Sequence, residues 1–213
     1  IEKRTINQLD IISCYFDKEK MKIYEKLQEN SIPLSRISET FRGLPWQRKV
    51  SNEGEPILRG KNIGRYFIKE PLDKITLSPE EQRDKKVLKL RQKKIVSQNI
   101  VAHVMNPYDH IIITATLDDQ GLLTLDTCMN TILTTREYTY EYILAILNST
   151  LASWYYYWFV YNRAIRTMHF DEYYIGKLPI KKISLKEQEP FILLVNQILS
   201  VKSKNPNIDT KEL

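Results

Sequence analysis

A series of short stretches in the middle of the chain, rich in Ile, Val, Thr and Tyr, limits the possible folds more than any other feature. Gly, Pro, Asn and Asp, which favour turns, separate these stretches. In order, they read EPILRG, RYFIKE, KIVSQNIVAHVM, HIIITATLD and LLTLDTCMNTILTT. The middle of the chain is therefore predicted to form a sheet.

Helical patterns stand on both sides of these runs. Residues 5–29 place apolar side chains along one stripe of a helix. Thr134 and Glu137 have the spacing of a capping box before an apolar segment, and Ser184 and Glu187 repeat it before another. We predict a helical lead-in and two longer helices that close the chain.

A third capping pattern interrupts the strand-like runs. Ser78 is suited to the N-cap position, Pro79 to the first position of a helix, and Glu81 to the position that completes a capping box with Ser78. A short inserted helix is therefore predicted. The order of helix, sheet and helix indicates an α+β fold with a mixed, mostly antiparallel sheet, an inserted short helix and flanking N-terminal and C-terminal helices. The predicted segments are a helical lead-in (1–30), the sheet domain (31–183) and a C-terminal helix and tail (184–213).

Size, charge and cysteine content set the broad class of the protein. The 213 residues suffice for one substantial core. The net charge of +6 is compatible with a polyanionic partner but common among proteins that have none. Cys14 and Cys128 are the two cysteines, and neither belongs to a metal-binding motif. We expect a reduced, cytoplasmic protein without a structural metal.

Targeting and membrane signals are missing from the sequence. The longest apolar stretch, within residues 143–161, is interrupted by Asn148, Ser149 and Ser153 and is crowded with tyrosine, which suits a buried or interfacial helix better than a membrane span. No signal-peptide pattern is found, and the chain begins with Ile1 rather than methionine. We expect a piece of a longer protein.

Motifs for catalysis are incomplete. Gly60 and Gly64 precede a strand rather than a helix, unlike a nucleotide or S-adenosylmethionine cradle. The segment MNPYDH (105–110) is similar to the adenine-gripping Asn-Pro-Pro-aromatic motif but lacks the second proline, which favours a turn. The three histidines are scattered. We therefore expect no catalytic residues and no metal ligands in this segment.

Basic residues cluster in segments that also carry glycine or aromatic residues. Arginine on a loop can make two parallel hydrogen bonds to guanine or to phosphate, which suits DNA binding. Each segment also has an alternative to DNA binding. Residues 56–66 could form a solvated turn, and residues 83–94 a solvated helix face. Most of the aromatic residues in 154–161 could pack in the core. The predicted DNA-binding residues are Arg42, Trp46, Arg48, Lys49, Arg59, Lys61, Asn62, Arg65, Tyr66, Lys85, Lys86, Arg163 and Arg166.

Several segments, taken in order over about residues 31–200, resemble one family. They are IPLSRISETFRGL, PILRGKNIGRY, KKIVSQNI, LLTLDTCMNTIL, YILAILNSTLASWYYYWF, FDEYYIGKLPI and SLKEQEPFILLVNQIL. They look like the target recognition domains of restriction–modification proteins, especially the TaqI-like C-terminal specificity domain of adenine methyltransferases and fused methyltransferase-endonucleases. Type I specificity subunits are more distantly similar.

The resemblance implies a bacterial or archaeal module that is not itself catalytic. Such a module grips double-stranded DNA opposite a methyltransferase domain of the same or an associated chain, so that an adenine can be flipped out and methylated. The full-length protein would need S-adenosylmethionine, and Mg²⁺ if it also cleaves DNA; this segment would bind neither, nor a membrane. The alternatives are a protein-interaction or scaffold module with a basic surface and, third, a free-standing nuclease or methyltransferase.

Overall fold

The computed structural model describes residues 17–163 and 168–210. Short strands dominate the first two thirds of this part of the chain, and helices dominate the rest. The strands are β1 (Ser31–Pro33), β2 (Ser38–Arg42), β3 (Val50–Ser51), β4 (Glu55–Leu58), β5 (Ile63–Gly64), β6 (Phe67–Ile68), β7 (Asp73–Ile75), β8 (Lys94–Gln98), β9 (Ile100–Val104), β10 (His110–Ile112), β11 (Ala115–Asp118), β12 (Leu123–Thr124), β13 (Cys128–Leu133), β14 (Met168–His169) and β15 (Pro179–Lys181). The helices are α1 (Lys18–Gln28), α2 (Pro79–Gln82), α3 (Lys85–Leu90), α4 (Tyr140–Leu147), α5 (Thr150–Tyr155), α6 (Glu172–Ile175) and α7 (Leu185–Lys204), and a π-helical segment, Tyr156–Val160, continues α5.

The strands form several small sheets rather than one. The main sheet has the antiparallel order β11-β8-β13-β2, and a three-stranded antiparallel sheet has the order β10-β9-β14. A third sheet, β12-β4-β7-β3, includes one parallel pair, β12 with β4. Two short pairs, β1-β15 and β5-β6, complete the set. The predicted α+β class with mixed, mostly antiparallel pairing is confirmed.

The described residues form three hydrophobic clusters: a main core, a second core and a small cluster of Leu58, Ile63, Val96 and Cys128. The main core joins β8, β11 and β13 to α4, α5 and the π-helical segment, and it includes the fully buried Tyr156. The second core lies under the inserted helices and includes Ile57, Ile75, Val87 and Leu123, each fully buried. Burying one such aliphatic side chain stabilises the fold by about 1.5–3 kcal/mol, so each core holds its own set of strands.

Most of the aromatic residues between 154 and 161 pack in the main core, as predicted. Tyr155, Tyr156, Tyr157 and Phe159 are buried. The Tyr156 hydroxyl donates to the carbonyl of Ile175 at 2.9 Å, which links the π-helical segment to α6. The aromatic series is therefore mainly a structural element.

The long strand-like runs are broken where the chain changes sheets. KIVSQNIVAHVM divides at Asn99, with β8 in the main sheet and β9 in the three-stranded sheet. HIIITATLD divides in the same way between β10 and β11. The chain crosses between the two sheets twice, and the first crossing brings Asn99 to the boundary between them.

Two of the three predicted helix starts are confirmed. The boxes Ser78–Glu81 and Ser184–Glu187 both cap helices. The inserted helix is, however, two helices, because Asp84 accepts the backbone N–H groups of Lys86 and Val87 and starts a new one. A separate aspartate cap thus ends the predicted single helix early.

The predicted cap formed by Thr134 and Glu137 is wrong. Helix α4 begins later, with Thr139 as N-cap, and the Thr139 side chain accepts the backbone N–H of Tyr142. The side-chain oxygen of the fully buried Gln188 in α7 accepts the Thr139 N–H at 2.9 Å. A tertiary contact from α7 therefore fixes the start of α4, which local spacing could not reveal.

The long aromatic helix that was predicted also divides, at Asn148 and Ser149. Ser149 caps α5 by accepting the Ala152 N–H at 3.0 Å. The Asn148 side chain accepts the Ala115 N–H at 3.1 Å and donates to the Ala115 carbonyl at 2.9 Å. Asn148 thus ties the end of α4 to the backbone of β11.

A buried ion pair joins the main sheet to the second core. Lys94 in β8 and Asp118 in β11 are fully buried and paired. The Lys94 ammonium also donates to the carbonyls of Leu90 and Leu122. Burial lowers the pKa of Lys94, and the Asp118 charge opposes that shift. Every polar atom of the pair is used inside the protein.

The predicted N-terminal helix is described only in part. Helix α1 starts at Lys18, capped by Asp17, and residues 1–16 lie outside the described residues. Met21, Tyr24 and Leu27 pack on the main core. No helix in the described ranges combines the length and hydrophobicity that crossing a membrane requires.

Candidate nucleic-acid interface

A cleft runs along the start of β9, where the main sheet meets the three-stranded sheet. Its first part is lined by residues from β2, the loop after β4, the β8–β9 junction and β14. A second hollow shares Arg42, Asn99 and His169 with the first and extends to α6. We call the two hollows together the β9 cleft. The side chains used in the argument below are Arg42, Arg59, Lys61, Asn99, Ile100 and His169.

The loop after β4 forms one wall through a single 3₁₀ turn, Gly60–Asn62. The Gly60 N–H donates to the Thr127 hydroxyl at 3.0 Å, and a Cβ on Gly60 would lie only 3.0 Å from the Thr127 carbonyl oxygen. Gln98 donates to the carbonyls of Gly60 and Ile63. The wall is thus held against β8 and β13 by a close backbone approach that favours glycine.

Asn62 builds this wall and does not face the cleft. It is 2 % exposed. Its side-chain oxygen accepts the Arg59 N–H at 3.1 Å, and its amide donates to the carbonyls of Lys69 and Pro71. Since both polar atoms of the side chain are used in the fold, a direct contact of Asn62 with DNA is not supported. Its place is in shaping the loop.

Arg59 and Lys61 stand on the wall and share one acid. Arg59 Nη1 lies 3.0 Å from Asp73 Oδ2, and Lys61 Nζ lies 3.1 Å from the same oxygen. Hydrogen bonds first from Arg59 and then from Lys61 lower the pKa of Asp73. Two cations against one carboxylate leave an excess of one positive charge on this wall.

Arg42 forms the opposite edge at the end of β2. It is exposed, and its Nε donates to the Asp126 carbonyl at 2.7 Å. Because a guanidinium has five N–H donors, this bond fixes the side chain and leaves other donors for a ligand. The three predicted residues Arg42, Arg59 and Lys61 therefore come together around one cleft.

The floor of the cleft is formed by residues that the sequence did not reveal. Ile100 is 51 % exposed, and Ala102 and His169 are also exposed. Asn99 is only 4 % exposed, yet its side-chain amide makes no hydrogen bond to any described residue. Its backbone is fixed, because the Asn99 N–H donates to the Thr127 carbonyl and the Asn99 carbonyl accepts the Phe170 N–H. A free amide thus sits beside an apolar floor.

The far end of the cleft is acidic. Asp171 caps α6 by accepting the Tyr174 N–H at 3.3 Å, and Glu172 is exposed beside it. The exposed ring of Tyr173 lines the same end. A surface that only tracks phosphates would be basic throughout. The mixed lining is more typical of a surface that contacts base edges as well as phosphates.

The predicted residues Trp46, Arg48 and Lys49 follow Arg42 in sequence but lie outside the β9 cleft. The Trp46 ring packs on the second core, and the Lys49 ammonium lies 5.0 Å from the centre of that ring. Lys49 also pairs with Glu81, while Arg48 is exposed. Contacts of these three side chains with DNA remain a prediction.

Arg65 and Tyr66 follow Lys61 closely in sequence but point elsewhere. The Arg65 guanidinium donates to the carbonyl of Asn148. Tyr66, at a positive φ of 68°, lines a hollow next to Leu199 and Lys202 in α7. The β5–β6 hairpin between residues 63 and 68 carries them away from the β9 cleft.

The basic run 83–94 combines exposed cations with ion pairs to other parts of the chain, and a contact of Lys85 and Lys86 with DNA remains a prediction. Lys86 donates to the Gly43 carbonyl at 2.9 Å, and burial lowers its pKa. Lys85 is exposed. The other paired members of the run are Lys89 with Glu39, Arg91 with Glu55, Lys93 with Glu141 and Lys94 with Asp118.

Arg163 lies at a different place, near the tip of the β9–β10 hairpin. Its guanidinium carbon lies 5.1 Å from the centre of the Trp158 ring. Arg166 lies outside the described residues. Within the described ranges, no three His, Cys, Asp or Glu side chains are grouped so as to hold a metal ion.

Comparison with protein families identifies the class. Residues 55–180 match the model of the TaqI-like C-terminal specificity domain, which covers more than half of the chain. The chain belongs to this family and is a DNA sequence-specificity module of restriction–modification systems. The matched range includes the cleft residues except Arg42. Comparison with curated protein sequences gives no significant match.

Solved structures of low identity match this chain with TM-scores below 0.5. One belongs to a study of complex assembly and conformational transition in a type I restriction–modification system (TM-score 0.49, 11 % identity, 82 % of this chain and 39 % of that one). The HsdS subunit from Thermoanaerobacter tengcongensis matches with a TM-score of 0.47 and 12 % identity, over 91 % of this chain and 46 % of that one. The type I S subunit from M. genitalium matches with a TM-score of 0.48 and 12 % identity, over 88 % of this chain and 45 % of that one. The chain spans less than half the length of each.

Proposed function

We propose that this chain recognises a specific double-stranded DNA sequence through the β9 cleft, within a restriction–modification protein of the methyltransferase or methyltransferase-endonuclease kind. The observation that carries this is the convergence of Arg42, Arg59 and Lys61 on a cleft with an apolar floor. In this proposal the chain holds DNA for N6-adenine methylation by a separate domain.

The two walls of the cleft would contact different parts of the DNA. Arg59 and Lys61 lie on a rigid loop with a net positive charge, so they would contact phosphates and set the position of the duplex. Arg42 and the floor residues would face base edges. A contact between Arg42 and guanine would add about 1–3 kcal/mol of discrimination against other bases.

Helix α7 offers a surface for the partner domain. It presents Leu193, Leu194 and Phe191 at 71 %, 37 % and 39 % exposure. Exposed apolar side chains grouped on one helix mark interaction sites. We propose that the methyltransferase domain, from the same or an associated chain, covers this surface.

S-adenosylmethionine and any Mg²⁺ would be held by that other domain. In the described residues the Gly60 turn leads into a strand, β5, and not into a helix whose N-terminus could face a cofactor. In this proposal the Gly60 turn holds no methyl donor, and the residues of this chain bind and orient DNA.

The test compares three basic residues, Arg59, Lys61 and Arg65, that are close in sequence but differ in position. Arg59→Ala and Lys61→Ala should each weaken binding to all duplexes and reduce the salt dependence by about one counterion. Arg65→Ala is the matched control and should change neither. Binding would be measured by fluorescence anisotropy across a salt series.

Two outcomes would contradict the proposal. Equal losses for Arg65→Ala and Arg59→Ala would show that the β9 cleft is not the DNA site. A chain that binds no duplex even at low salt would favour the protein-interaction alternative, with α7 as its surface.

A further inference from the structure

Asn99 is 4 % exposed, and the polar atoms of its side chain belong to the exposed part, so the fold does not supply their hydrogen-bond partners. Buried polar side chains nearly always have a hydrogen-bond partner, because leaving one without a partner is costly. The neighbouring residue Gln98 shows the usual case, since its amide donates to two carbonyls. The fold therefore gives Asn99 no internal hydrogen-bonding role.

The position of Asn99 shows where a partner could come from. Asn99 lines both parts of the β9 cleft, so a molecule seated there can reach its amide. Ile100, the next residue, lies in the same cleft with half of its surface exposed. A free amide and a free aliphatic group thus stand side by side.

Charge around the two residues favours DNA as the occupant. Arg59 and Lys61 stand at one end of the cleft and complement phosphates, while Arg42 lines both parts of it. Asp171 and Glu172 stand at the other end, and their charge keeps phosphates away from it. The floor between them is therefore suited to base edges rather than to the backbone of the duplex.

The chemistry of the pair matches one base pair. In the major groove, an asparagine amide forms two hydrogen bonds with N6 and N7 of adenine, and an apolar side chain contacts the C5-methyl group of thymine. Building on the proposed function, we infer that the β9 cleft reads an A·T pair, with Asn99 on the adenine and Ile100 on the methyl group of the paired thymine.

The test starts from the target sequence of the 213-residue chain, obtained by selection from a random duplex library. At one A·T pair of that target, replacement by G·C should weaken binding roughly 5- to 150-fold, as loss of a two-bond contact predicts. Replacing its adenine with 7-deazaadenine, which lacks N7, should also weaken binding. Replacing its thymine with uracil should weaken binding about fourfold, as loss of one buried methyl group predicts.

Variants connect these effects to the two residues. The Asn99→Ala chain should lose its sensitivity to 7-deazaadenine at that pair, and the Ile100→Ala chain its sensitivity to uracil. Asn52→Ala and Leu151→Ala, exposed residues outside the β9 cleft, are the matched controls and should keep both sensitivities. Thermal melting would confirm that all four variants fold.

The outcomes separate this inference from the proposed function. A selected target with no A·T pair that responds to these replacements overturns the inference, as does an Asn99→Ala chain that still responds to 7-deazaadenine. In both cases sequence-specific binding stands. If selection enriches no sequence at all, the proposed function itself fails.

Discussion

Asn148, where α4 meets β11, and Asn99, in the β9 cleft, are buried to almost the same degree, 2 % and 4 % exposed. The Asn148 amide bonds twice to the backbone of Ala115, while the Asn99 amide bonds to no described residue. Lys94 and Lys61 also differ in unused donors, since the Lys94 ammonium bonds to Leu90, Asp118 and Leu122, while the Lys61 ammonium bonds, among the described residues, only to Asp73. Unused bonding capacity, rather than burial, distinguishes the candidate site from the scaffold.

The largest effect should come from the scaffold. Lys94→Met leaves Asp118 buried without its cation, so the free energy of unfolding should fall by about 3–5 kcal/mol. Urea denaturation measures this change. The exposed Lys85→Ala is the control and should stay within about 0.5 kcal/mol of the parent chain. Equal stability of the two variants would contradict the assigned role of Lys94.

The two asparagines give a direct comparison of smaller size. Asn148→Ala leaves the Ala115 N–H unbonded, while the Tyr66 N–H still reaches the Ala115 carbonyl. The expected loss in the free energy of unfolding is about 1–3 kcal/mol. Asn99→Ala removes no internal bond and should change it by less than about 1 kcal/mol. If Asn99→Ala were the more destabilising of the two, the distinction between these regions would be lost.

A third variant tests the charge of the cleft wall. Asp73→Asn removes the acid shared by Arg59 and Lys61 and leaves both cations for phosphates. DNA binding should strengthen, and its salt dependence should steepen by about one counterion. Anisotropy titrations over a range of salt concentrations measure both quantities. Unchanged binding would show that this wall does not touch the backbone of the duplex.

The smallest effect concerns a residue that should not respond. Cys128 is fully buried at the start of β13, and burial raises the pKa of its thiol to about 12. Iodoacetamide at about pH 8 should leave Cys128 unmodified in the native chain, because the thiolate is the reactive form. Peptide mass spectrometry separates it from Cys14. Rapid modification of Cys128 would show that the interior next to the cleft opens readily.

Local signals in the sequence were sufficient where neighbouring residues decide the structure. The boxes at Ser78 and Ser184 are satisfied within one turn of helix, so their spacing was enough to predict α2 and α7. The box at Thr134 failed because Gln188, about fifty residues away, determines where α4 begins. The prediction of one continuous strand across Asn99 was wrong for a similar reason. Only the pairing of β8 with β13 and of β9 with β14 shows that the chain changes sheets there.

The site was predicted in part for a related reason. Arg42, Arg59 and Lys61 carry charges on segments with glycines, a pattern visible in the sequence. Asn99, Ile100 and His169 carry no such mark and meet only through the pairing of β9 with β14. Arg65 was grouped with Arg59 by proximity along the chain, yet a hairpin turns it to another face. Composition could reveal the charges but not the direction of the side chains.

Thr127 connects the two halves of the cleft. Its hydroxyl accepts the Gly60 N–H, and its carbonyl accepts the Asn99 N–H, both at 3.0 Å. For a duplex bound as proposed, Thr127 therefore fixes the distance between the residues that contact phosphates and the residue that contacts a base edge. DNA sequences whose groove width does not match this distance must deform to bind. The energy of that deformation adds selection for DNA shape to the selection made by base contacts.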